Sequence, residues 1–223
     1  MTVVCHNEEI VNSNNYTTIK SDESGRVTDI KINEKVRGSN KFYSNIMIIG
    51  RQFLLTLIED AIVHNYKSFR EDIIMRRMKT LKIFSYDFTG YHATIDSLSS
   101  YFVHNMELLQ KPVRDELFGA RDIYTKVRDS APSKYGDDSS VKNSLISDGC
   151  IVEGTVENSI LFRGVKVGKG TVVRNSILMQ DTVLGDNVSL NCVITDKNVV
   201  IRDRRVLSGC ELQPYFLSKG TMI

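Results

Sequence analysis

The sequence has 223 residues, 41% hydrophobic and 25% charged, which is enough apolar material for the core of one large domain or two modest ones. Its formal net charge of +2, from 29 basic and 27 acidic residues, indicates neither a nucleic acid nor a membrane as a partner. The four cysteines are widely spaced without a CxxC pair, and no signal peptide or membrane-length apolar run is visible, so we expect a cytoplasmic protein without a zinc site or a disulfide framework.

The first fifty residues alternate short apolar runs with turn-forming residues. Strands are predicted at TVV, YTTIK, RVTDIKI and NIMII, and turns at NSNN, SDESG and RGSN. A helix is predicted next, over RQFLLTLIEDAIVHNY. Its helical spacing predicts a buried stripe made of Leu54, Leu55, Ile58, Ala61 and Ile62.

Two serines have the spacing of helix N-caps. Ser68 and Glu71 form a capping-box pattern ahead of an apolar run, so a second helix is predicted there. After a predicted strand at LKIFSYDF, Ser97 is predicted to cap a third helix that ends before Pro112. Strands that alternate with helices favour an α/β layer. The predicted buried stripe of the third helix consists of Leu98, Tyr101, Phe102, Met106 and Leu109.

The segment RDSAPSKYGDDSS, residues 128–140, is poor in apolar residues and rich in turn formers. It predicts a linker between an α/β domain at residues 1–127 and a second domain at residues 141–223.

The second domain has an internal repeat. NSLI, NSIL, NSIL and NCVI begin at residues 143, 158, 175 and 191, which are 15, 17 and 16 apart, and a six-residue period runs within them, as in Val167, Val173 and Met179. Repeats of this length predict a parallel β-helix, in which three hexapeptides close one triangular coil and successive coils stack. The repeated asparagines are then expected to form a column, as an amide ladder. A β-sandwich of short strands is the alternative, but it does not require a repeated dipeptide.

Several stretches resemble one family, the bacterial glucose-1-phosphate adenylyltransferases. The run APSKYGDDSSVKNSLISDGCIVEGTVENSIL, joined to an α/β domain, is similar to their junction with a left-handed β-helix of hexapeptide repeats, and GRVTDIKINEKVRGSNKFYSNIMIIG is similar to the second half of their Rossmann-like catalytic domain. The resemblance implies that the chain begins in the middle of a nucleotidyltransferase domain, so we expect it to be part of a longer protein. The family reaction displaces pyrophosphate from ATP by the phosphate of glucose 1-phosphate, with a metal ion and basic groups stabilising the phosphate charge.

The resemblance implies a sugar-phosphate site. Glu34 and Lys35 match the family's Glu-Lys pair, whose lysine contacts the sugar phosphate, and Ser44 lies where the family uses a serine against the sugar. The alternative for Glu34 and Lys35 is a solvated charged turn. The glycine-rich run GVKVGKG, residues 164–170, is interpreted as β-helix corners and not as a phosphate loop.

The sequence differs from the catalytic members of the family in the segment GYHATIDSLSSYF. Catalytic members have approximately GYWRDVGTIDSYW, in which the aspartate holds the metal ion, and Thr94 takes the place of that aspartate. Threonine has no permanent negative charge, whereas Mg²⁺ prefers carboxylate oxygen, and Asp96 could substitute only after a two-residue backbone shift. The segment GYHATIDSLSSYF resembles the corresponding segment of the accessory D-type subunits of bacterial glycogen synthesis. We therefore expect no catalytic residues and no metal or other cofactor in this chain, and Mg²⁺ in a catalytic partner.

These expectations give one leading function and two alternatives. The leading one is a non-catalytic or weakly catalytic regulatory subunit, inactive alone, that assembles with a catalytic adenylyltransferase subunit or with itself through the β-helix and could respond to sugar-phosphate effectors. An active sugar-phosphate nucleotidyltransferase is the first alternative. A hexapeptide acyltransferase is the second, but such enzymes usually use a histidine on the solenoid, and all four histidines precede the repeats.

The remaining residues that could carry chemistry are expected to have structural roles. We expect packing or surface roles for the histidines His6, His64, His92 and His104, and small corner positions for Cys150 and Cys192. The run RDRR at residues 202–205 is expected to form a solvated face.

Overall fold

The computed structural model describes residues 1–13, 16–32, 36–119, 123–126 and 129–223, with the backbone alone at residues 8–13 and 36–39. The chain divides into two compact units, Met1–His92 and Ala93–Ile223, which are called the amino-terminal and the carboxy-terminal unit. None of the helices within those described ranges combines the length and the apolar character that crossing a bilayer requires.

The amino-terminal unit is built on one five-stranded sheet, in the order β3-β2-β4-β1-β5. Strand β5 pairs with β1 in parallel, and the other neighbours are antiparallel. All the strands predicted in this region are confirmed, although β1 and β4 are longer than the apolar runs that predicted them. The predicted turn at RGSN is wrong, because these residues lie inside β4. The strands are β1 (Thr2–Ser13), β2 (Thr17–Ser21), β3 (Val27–Ile32), β4 (Val36–Ile48) and β5 (Phe84–Asp87).

One face of this sheet holds the core of the unit. Alternate residues of a strand point to opposite faces, and on this face Val3 and Cys5 are buried against Ile74 and Ile83. Ile74 belongs to a helical segment, Phe69–Met75, that begins where the capping pattern predicted it. The Ser68 hydroxyl accepts a hydrogen bond from the Glu71 amide at 3.1 Å. The segment is wound as a π-helix, which the sequence did not predict.

The first helix, α1 (Arg51–Val63), is present as predicted, but its predicted buried stripe is wrong. Leu57 is buried, whereas Ile58 and Ile62 are 41% and 74% exposed. The helical period identifies which residues share a face, but it does not say whether another layer covers that face. The predicted residues therefore lie on one apolar face of α1, but this face is in contact with solvent.

The carboxy-terminal unit begins with two helices, α2 (Leu98–Glu107) and α3 (Lys111–Arg114). Ser97 caps α2 as predicted, because its hydroxyl accepts a hydrogen bond from the Ser100 amide at 3.1 Å. Phe102 is buried on the predicted stripe, but Leu98 is 46% exposed, so the stripe is confirmed in part. Helix α3 contains Pro112 in its first turn, where a missing amide hydrogen is tolerated, and a π-helical turn follows at residues 115–119.

The rest of the unit is the predicted parallel β-helix, with three sheets of five short strands each. Every neighbouring pair within these sheets is parallel. The first sheet contains β6 (Lys134–Tyr135), β9 (Ile151–Val152), β12 (Lys166–Val167), β15 (Val183–Leu184) and β18 (Val200–Ile201). The second contains β7 (Ser140–Lys142), β10 (Thr155–Glu157), β13 (Val172–Arg174), β16 (Ser189–Asn191) and β19 (Val206–Ser208). The third contains β8 (Leu145–Ile146), β11 (Ile160–Leu161), β14 (Ile177–Leu178), β17 (Val193–Thr195) and β20 (Tyr215–Leu217).

The corners of the coils consist of residues in the left-handed region of the backbone map. Glycine, asparagine and aspartate enter this region at the lowest cost, which is why the repeats carry them at fixed intervals. Cys192 and Arg204 are the less usual residues that adopt it, with φ of 52° and 61°. The three corner columns are Asn143, Asn158, Asn175 and Cys192; Gly149, Gly164, Asp181 and Asn198; and Gly170, Asn187 and Arg204.

The predicted amide ladder is confirmed. The amide groups of Asn143, Asn158 and Asn175 donate in turn to the amide oxygens of Asn158, Asn175 and Asn191, at 2.8, 3.5 and 2.9 Å. Its last member is offset by one residue, because Asn191 pairs with Arg174 in the strand register and Cys192 takes the corner. The repeated asparagines Asn175 and Asn191 are 16 residues apart, whereas the corresponding corner residues, Asn175 and Cys192, are 17 apart.

Helix α2 packs on the outside of the third sheet. Phe102 lies with Ile177, Cys192 and Ile194 in one buried cluster, against which Tyr101 packs. Ile177 and Ile194 point away from the interior of the coils, where Leu178 and Val193 lie. The predicted domain bounds, residues 1–127 and 141–223 with a linker at 128–140, stay a prediction; the division into compact units falls between His92 and Ala93, and β6 lies within the predicted linker segment.

Candidate functional site

Ser44, the predicted sugar-contacting residue, lies at an irregularity in strand β4. Cys5 of β1 is opposite Tyr43 and Val3 is opposite Met47, so three residues of β4 bulge opposite the single residue between them. Bulges of this kind redirect side chains and are common beside functional sites. The Ser44 hydroxyl lies 2.9 Å from Nδ1 of His6.

Two histidines that are far apart in the sequence meet beside Ser44. The rings of His6 and His92 are stacked, with centroids 3.6 Å apart and an interplanar angle of 18°, and His6 is 6% exposed. His6 also lies against Phe42, with ring centroids 5.8 Å apart. His92 belongs to the GYH motif, so this motif and the Ser44 bulge form one hydroxyl–imidazole cluster. The sequence analysis missed it, because the two histidines are 86 positions apart in the sequence and only the pairing of β1 with β4 joins His6 to Ser44.

The other two predicted binding residues, Glu34 and Lys35, lie outside the described residues. Their role therefore stays a prediction. What the structure contributes to the predicted sugar-phosphate site is Ser44 and its imidazole neighbours, which can donate and accept hydrogen bonds to hydroxyl groups.

A lysine that the sequence analysis did not single out lies on the opposite face of the same sheet. The Lys41 ammonium forms an ion pair with Asp87 and donates to the hydroxyls of Ser85 and Ser21 at 2.9 and 3.1 Å. These bonds satisfy the cation where its side chain is 17% exposed. Burial raises the pKa of the nearby Cys5 thiol to about 11, although Lys41 acts in the opposite direction. Cys5 is therefore a packing residue, and Lys41 joins β2, β4 and β5.

The segment that resembles the family's metal-binding motif does not offer the ligands that Mg²⁺ prefers. Thr94 is exposed and has a neutral hydroxyl. Oδ1 of Asp96 accepts a hydrogen bond from the Ser100 hydroxyl at 3.1 Å, so this carboxylate belongs to the N-terminal network of α2. Within the described ranges, no three histidine, cysteine, aspartate or glutamate side chains group as metal ligands. The residues of this segment do not fit the metal ion that the family resemblance implies, and the expectation of a chain without a metal ion stays a prediction.

The glycine-rich run at residues 164–170 forms corners of the β-helix, as interpreted from the sequence. Gly164 and Gly170 have φ of 71° and 66°. A Cβ atom on Gly168 would lie 2.4 Å from the carbonyl oxygen of Gly185 in the next coil, so close coil stacking explains that glycine. Cys150 and Cys192 are both buried, and Cys192 is a corner residue.

Comparison with known proteins agrees with this architecture. A family model described as GlmU-like, C-terminal hexapeptide, matches residues 130–212. The glycogen biosynthesis protein GlgD of Bacillus subtilis (strain 168) is 44% identical over 169 residues, which are 74% of this chain and 49% of that protein. GlgD of Geobacillus stearothermophilus is 47% identical over 176 residues, 78% of this chain and 51% of that protein.

A catalytic relative aligns over more of the chain at lower identity. The glucose-1-phosphate adenylyltransferase of Fervidobacterium nodosum is 28% identical over 217 residues, 95% of this chain and 50% of that protein. The chain thus spans about half the length of these relatives. The similarities, which cover 74% to 95% of the chain, show that it belongs to the family that includes GlgD and the glucose-1-phosphate adenylyltransferases.

Proposed function

We propose that this chain is a regulatory part of glucose-1-phosphate adenylyltransferase in glycogen biosynthesis, acting in the cytoplasm without turnover of its own. The observation that carries the proposal is Thr94, which stands where the family resemblance implies an aspartate. A hydroxyl at this place cannot supply the negative charge that holds Mg²⁺ on the phosphates. Identity is also higher to the two GlgD proteins, at 44% and 47%, than to the Fervidobacterium enzyme, at 28%.

The proposed partner is a catalytic adenylyltransferase subunit, which supplies the Mg²⁺ site. We assign the contact, and any self-association, to the β-helix, where β6, β7 and β8 form one end of the three sheets and β18, β19 and β20 the other. Terminal strands offer main-chain donors and acceptors to an approaching chain. The loop between β19 and β20 adds an apolar contact, because Leu212 is 87% exposed.

Residual sugar-phosphate binding through Glu34, Lys35 and Ser44 is part of the proposal, either for the substrate glucose 1-phosphate or for a sugar-phosphate effector. Support for it is the hydrogen bond between Ser44 and His6, which holds the serine hydroxyl in place before any ligand arrives. Calorimetry with glucose 1-phosphate tests this point. We expect Lys35→Gln and Ser44→Ala to weaken binding at least about tenfold, since each removes one bond to the ligand, and equal affinity in the variants contradicts it.

The function is tested by measuring ADP-glucose formation. The chain is titrated into the glucose-1-phosphate adenylyltransferase of the same organism at a fixed enzyme concentration, and its own activity is measured in parallel. We expect no turnover by the chain alone and a saturable rise in the rate of the mixture. An unchanged rate in the mixture, or Mg²⁺-dependent release of pyrophosphate by the chain alone, contradicts the proposal.

Matched variants locate the contact. Leu212→Asp places a charge on the loop before β20, and Tyr135→Asp places one on β6 at the opposite end of the coils, where Tyr135 is 55% exposed. We expect at least one of them to shift the titration midpoint to higher concentration. Glu59→Gln, on the exposed surface of α1, serves as the control and should leave the midpoint unchanged.

A further inference from the structure

Two cysteines of the carboxy-terminal unit lie next to one another in neighbouring coils, although they are 18 positions apart in the sequence. Asn191 is opposite Ser208 in the strand register, so the corner residue Cys192 lies beside Gly209, and Cys210 follows one residue later. The Gly209 amide donates to the Asn191 carbonyl at 2.9 Å. A Cβ atom on Gly209 would lie 2.7 Å from the carbonyl oxygen of Cys192, so the two coils approach closely at this corner.

The chain leaves the coil at Cys210 and returns to it beside Cys192. The backbone amides of Cys210 and Gln213 donate to each other's carbonyl groups at 3.2 and 3.0 Å, which closes the base of a short loop, called the 210–214 loop. The Tyr215 amide then donates to the Cys192 carbonyl at 3.0 Å. Parallel strands are about 4.8 Å apart and rise about 3.3 Å per residue, so a pair one residue out of register has Cα atoms about 6 Å apart, which a disulfide can span.

The two thiols have different surroundings. Cys192 is 7% exposed and lies in the cluster beneath α2 with Phe102 and Ile194, whereas Cys210 is exposed. Burial raises the pKa of the Cys192 thiol, and the negative charges of Glu211 and of the Cys210 thiolate raise it further. The effect of Cys210 on Cys192 agrees with the register in bringing the two sulfur atoms near each other. An exposed thiol can meet a reagent in solution, and a buried thiol beside it can then react with the product.

We propose that Cys192 and Cys210 form a redox-active pair, which closes to a reversible disulfide by exchange with a low-molecular-weight disulfide such as oxidised glutathione. The Cys210 thiolate attacks one sulfur of the reagent, the S–S bond of the reagent breaks, and one thiolate leaves. The product is a mixed disulfide at Cys210. Cys192 then loses its proton to solvent and attacks the Cys210 sulfur, and the second thiolate leaves. The pair loses two electrons, and the reagent gains them as two thiols, which take up the two protons released by the cysteines.

The disulfide ties the 210–214 loop to the coils at the place where α2 covers them. Without it, the loop is held to α2 by a hydrogen bond from the Ser99 hydroxyl to the Glu211 carbonyl at 3.0 Å. The tip of the loop carries Leu212, which is 87% exposed. A covalent bond between the first residue of the loop and the corner residue Cys192 restricts how far this tip can move. The pair therefore places an exposed apolar contact under redox control.

The test is to map the bond after oxidation. The chain is incubated with an excess of oxidised glutathione at mildly alkaline pH, where more of each thiol is ionised, and free thiols are then blocked with iodoacetamide. Trypsin separates the two cysteines, because Cys192 lies in the peptide 175–197 and Cys210 in the peptide 206–219. The variants are Cys192→Ser and Cys210→Ser, and Cys5→Ala is the matched control that removes a buried thiol of the other unit. Circular dichroism verifies that each variant is folded.

We expect peptides 175–197 and 206–219 to be linked in most molecules of the unmodified chain, in a monomer, and to separate when dithiothreitol is added. Cys5→Ala should be linked to the same extent. Cys192→Ser should stop at the mixed disulfide on Cys210. Cys210→Ser should form no link, and its Cys192 should react with glutathione at least about tenfold more slowly than Cys210 does, because it is buried and its pKa is raised.

Three results overturn the proposal. The first is a mixed disulfide at Cys210 that persists in the unmodified chain, since Cys192 then cannot reach it. The second is a link between two copies of the peptide 206–219, which means that Cys210 reacts with another chain. The third is a link that includes Cys5 or Cys150. Cys210→Ser changes an exposed side chain, so the comparison holds even if Cys192→Ser fails to fold. No readout is an enzyme activity, so the proposed regulatory role can fail without affecting this result.

Discussion

The two compact units differ in how far each covers its own apolar surface. In the carboxy-terminal unit, interior residues such as Val173 and Leu178 are fully buried between coils, and α2 lies over the outward-facing Ile177 and Ile194. In the amino-terminal unit, one face of the sheet is buried in the core, whereas Ile48 and Tyr86 on the other face are 70% and 59% exposed. A solenoid covers each coil with the next one, whereas a sheet layer depends on helices from elsewhere in the sequence.

The difference extends to polar groups. Within the coils, buried hydroxyls are used in series, since the Ser159 hydroxyl accepts from the Ser176 amide and the Ser176 hydroxyl accepts from the Val193 amide, both at 3.1 Å. In the amino-terminal unit the polar side chains instead form clusters that differ from one another, such as the one around Lys41 and the one around His6. Because the coils repeat, the same hydrogen bond can satisfy the buried hydroxyl in successive coils. In the sheet, each buried polar group needs a different set of hydrogen-bond partners.

The largest expected effect is a difference in the free energy of unfolding between a substitution inside the coils and one at an exposed position of the amino-terminal sheet. Leu178→Ala removes a side chain that is fully buried inside the β-helix, and it should lower the free energy of unfolding by about 2–5 kcal/mol. Ile46→Ala, in strand β4 of the amino-terminal sheet, should change it by no more than about 0.5 kcal/mol, because Ile46 is 56% exposed. Urea unfolding of both variants measures the contrast. If the two variants lost similar amounts of unfolding free energy, the Ile46 side chain would be buried in solution.

A smaller effect separates two contributions at a coil corner. Asn175 has φ of 45° and lies in the amide ladder, so Asn175→Ala loses both the ladder bonds and a side chain suited to this conformation. We expect a loss of about 2 kcal/mol, of which about 1 kcal/mol is the left-handed backbone penalty for alanine. Asn175→Gly loses the ladder but tolerates the backbone, and should lose about 1 kcal/mol. If alanine and glycine were equal in urea unfolding, the corner would not be strained.

A still smaller effect should be the same in both units, because helix caps act locally. Ser97→Ala and Ser68→Ala each remove a hydroxyl that accepts from a backbone amide at 3.1 Å, and each should lower the free energy of unfolding by about 1 kcal/mol. Aspartate can also cap a helix, so Ser97→Asp and Ser68→Asp should recover most of the stability. Failure of aspartate to rescue either site in thermal unfolding would indicate a packing role for that serine.

The accuracy of the sequence-based predictions follows the same division between the units. The repeats predicted the coils, the corner glycines and the amide ladder, because in a β-helix each side-chain direction depends on its place in a period of about six residues. The one-residue offset at Asn191 and Cys192 was missed, since both residues fit the repeat and the register with Arg174 decides between them. Docking of α2 was missed as well, although the outward isoleucines of the repeated NSIL segments were its signal.

In the amino-terminal unit, local patterns predicted the elements but not their surroundings. Each strand and the start of each helix could be read from composition and capping residues, whereas the exposure of Ile58 and Ile62 depends on what packs against α1, which the helical period does not contain. The candidate site was found in part. Ser44 was predicted from the family resemblance, but its contact with His6 and the stacking of His92 depend on pairing across the sheet, which no short segment of sequence contains.

The smallest expected effect is a pH dependence in the amino-terminal unit. Hydrogen bonds from the backbone amides of Ser68 and Lys67, at 3.0 and 3.1 Å, hold the pKa of the Asp72 carboxyl below its usual 3.8. Because the folded pKa lies below the unfolded one, the carboxylate stabilises the fold above about pH 4, and this stabilisation is lost as the pH falls through the folded pKa.

Asp72→Asn removes the titrating charge, so its melting temperature should lie slightly below that of the unmodified chain near neutral pH, and the difference should narrow as the pH falls below about 4. Glu59→Gln, at an exposed position on α1, controls for the loss of one negative charge. The carboxylate remains in contact with solvent, which keeps the effect below that of the caps. A difference that stays constant with pH would mean that the Asp72 side chain stabilises the start of the π-helical segment by its shape and hydrogen bonds and not by its charge.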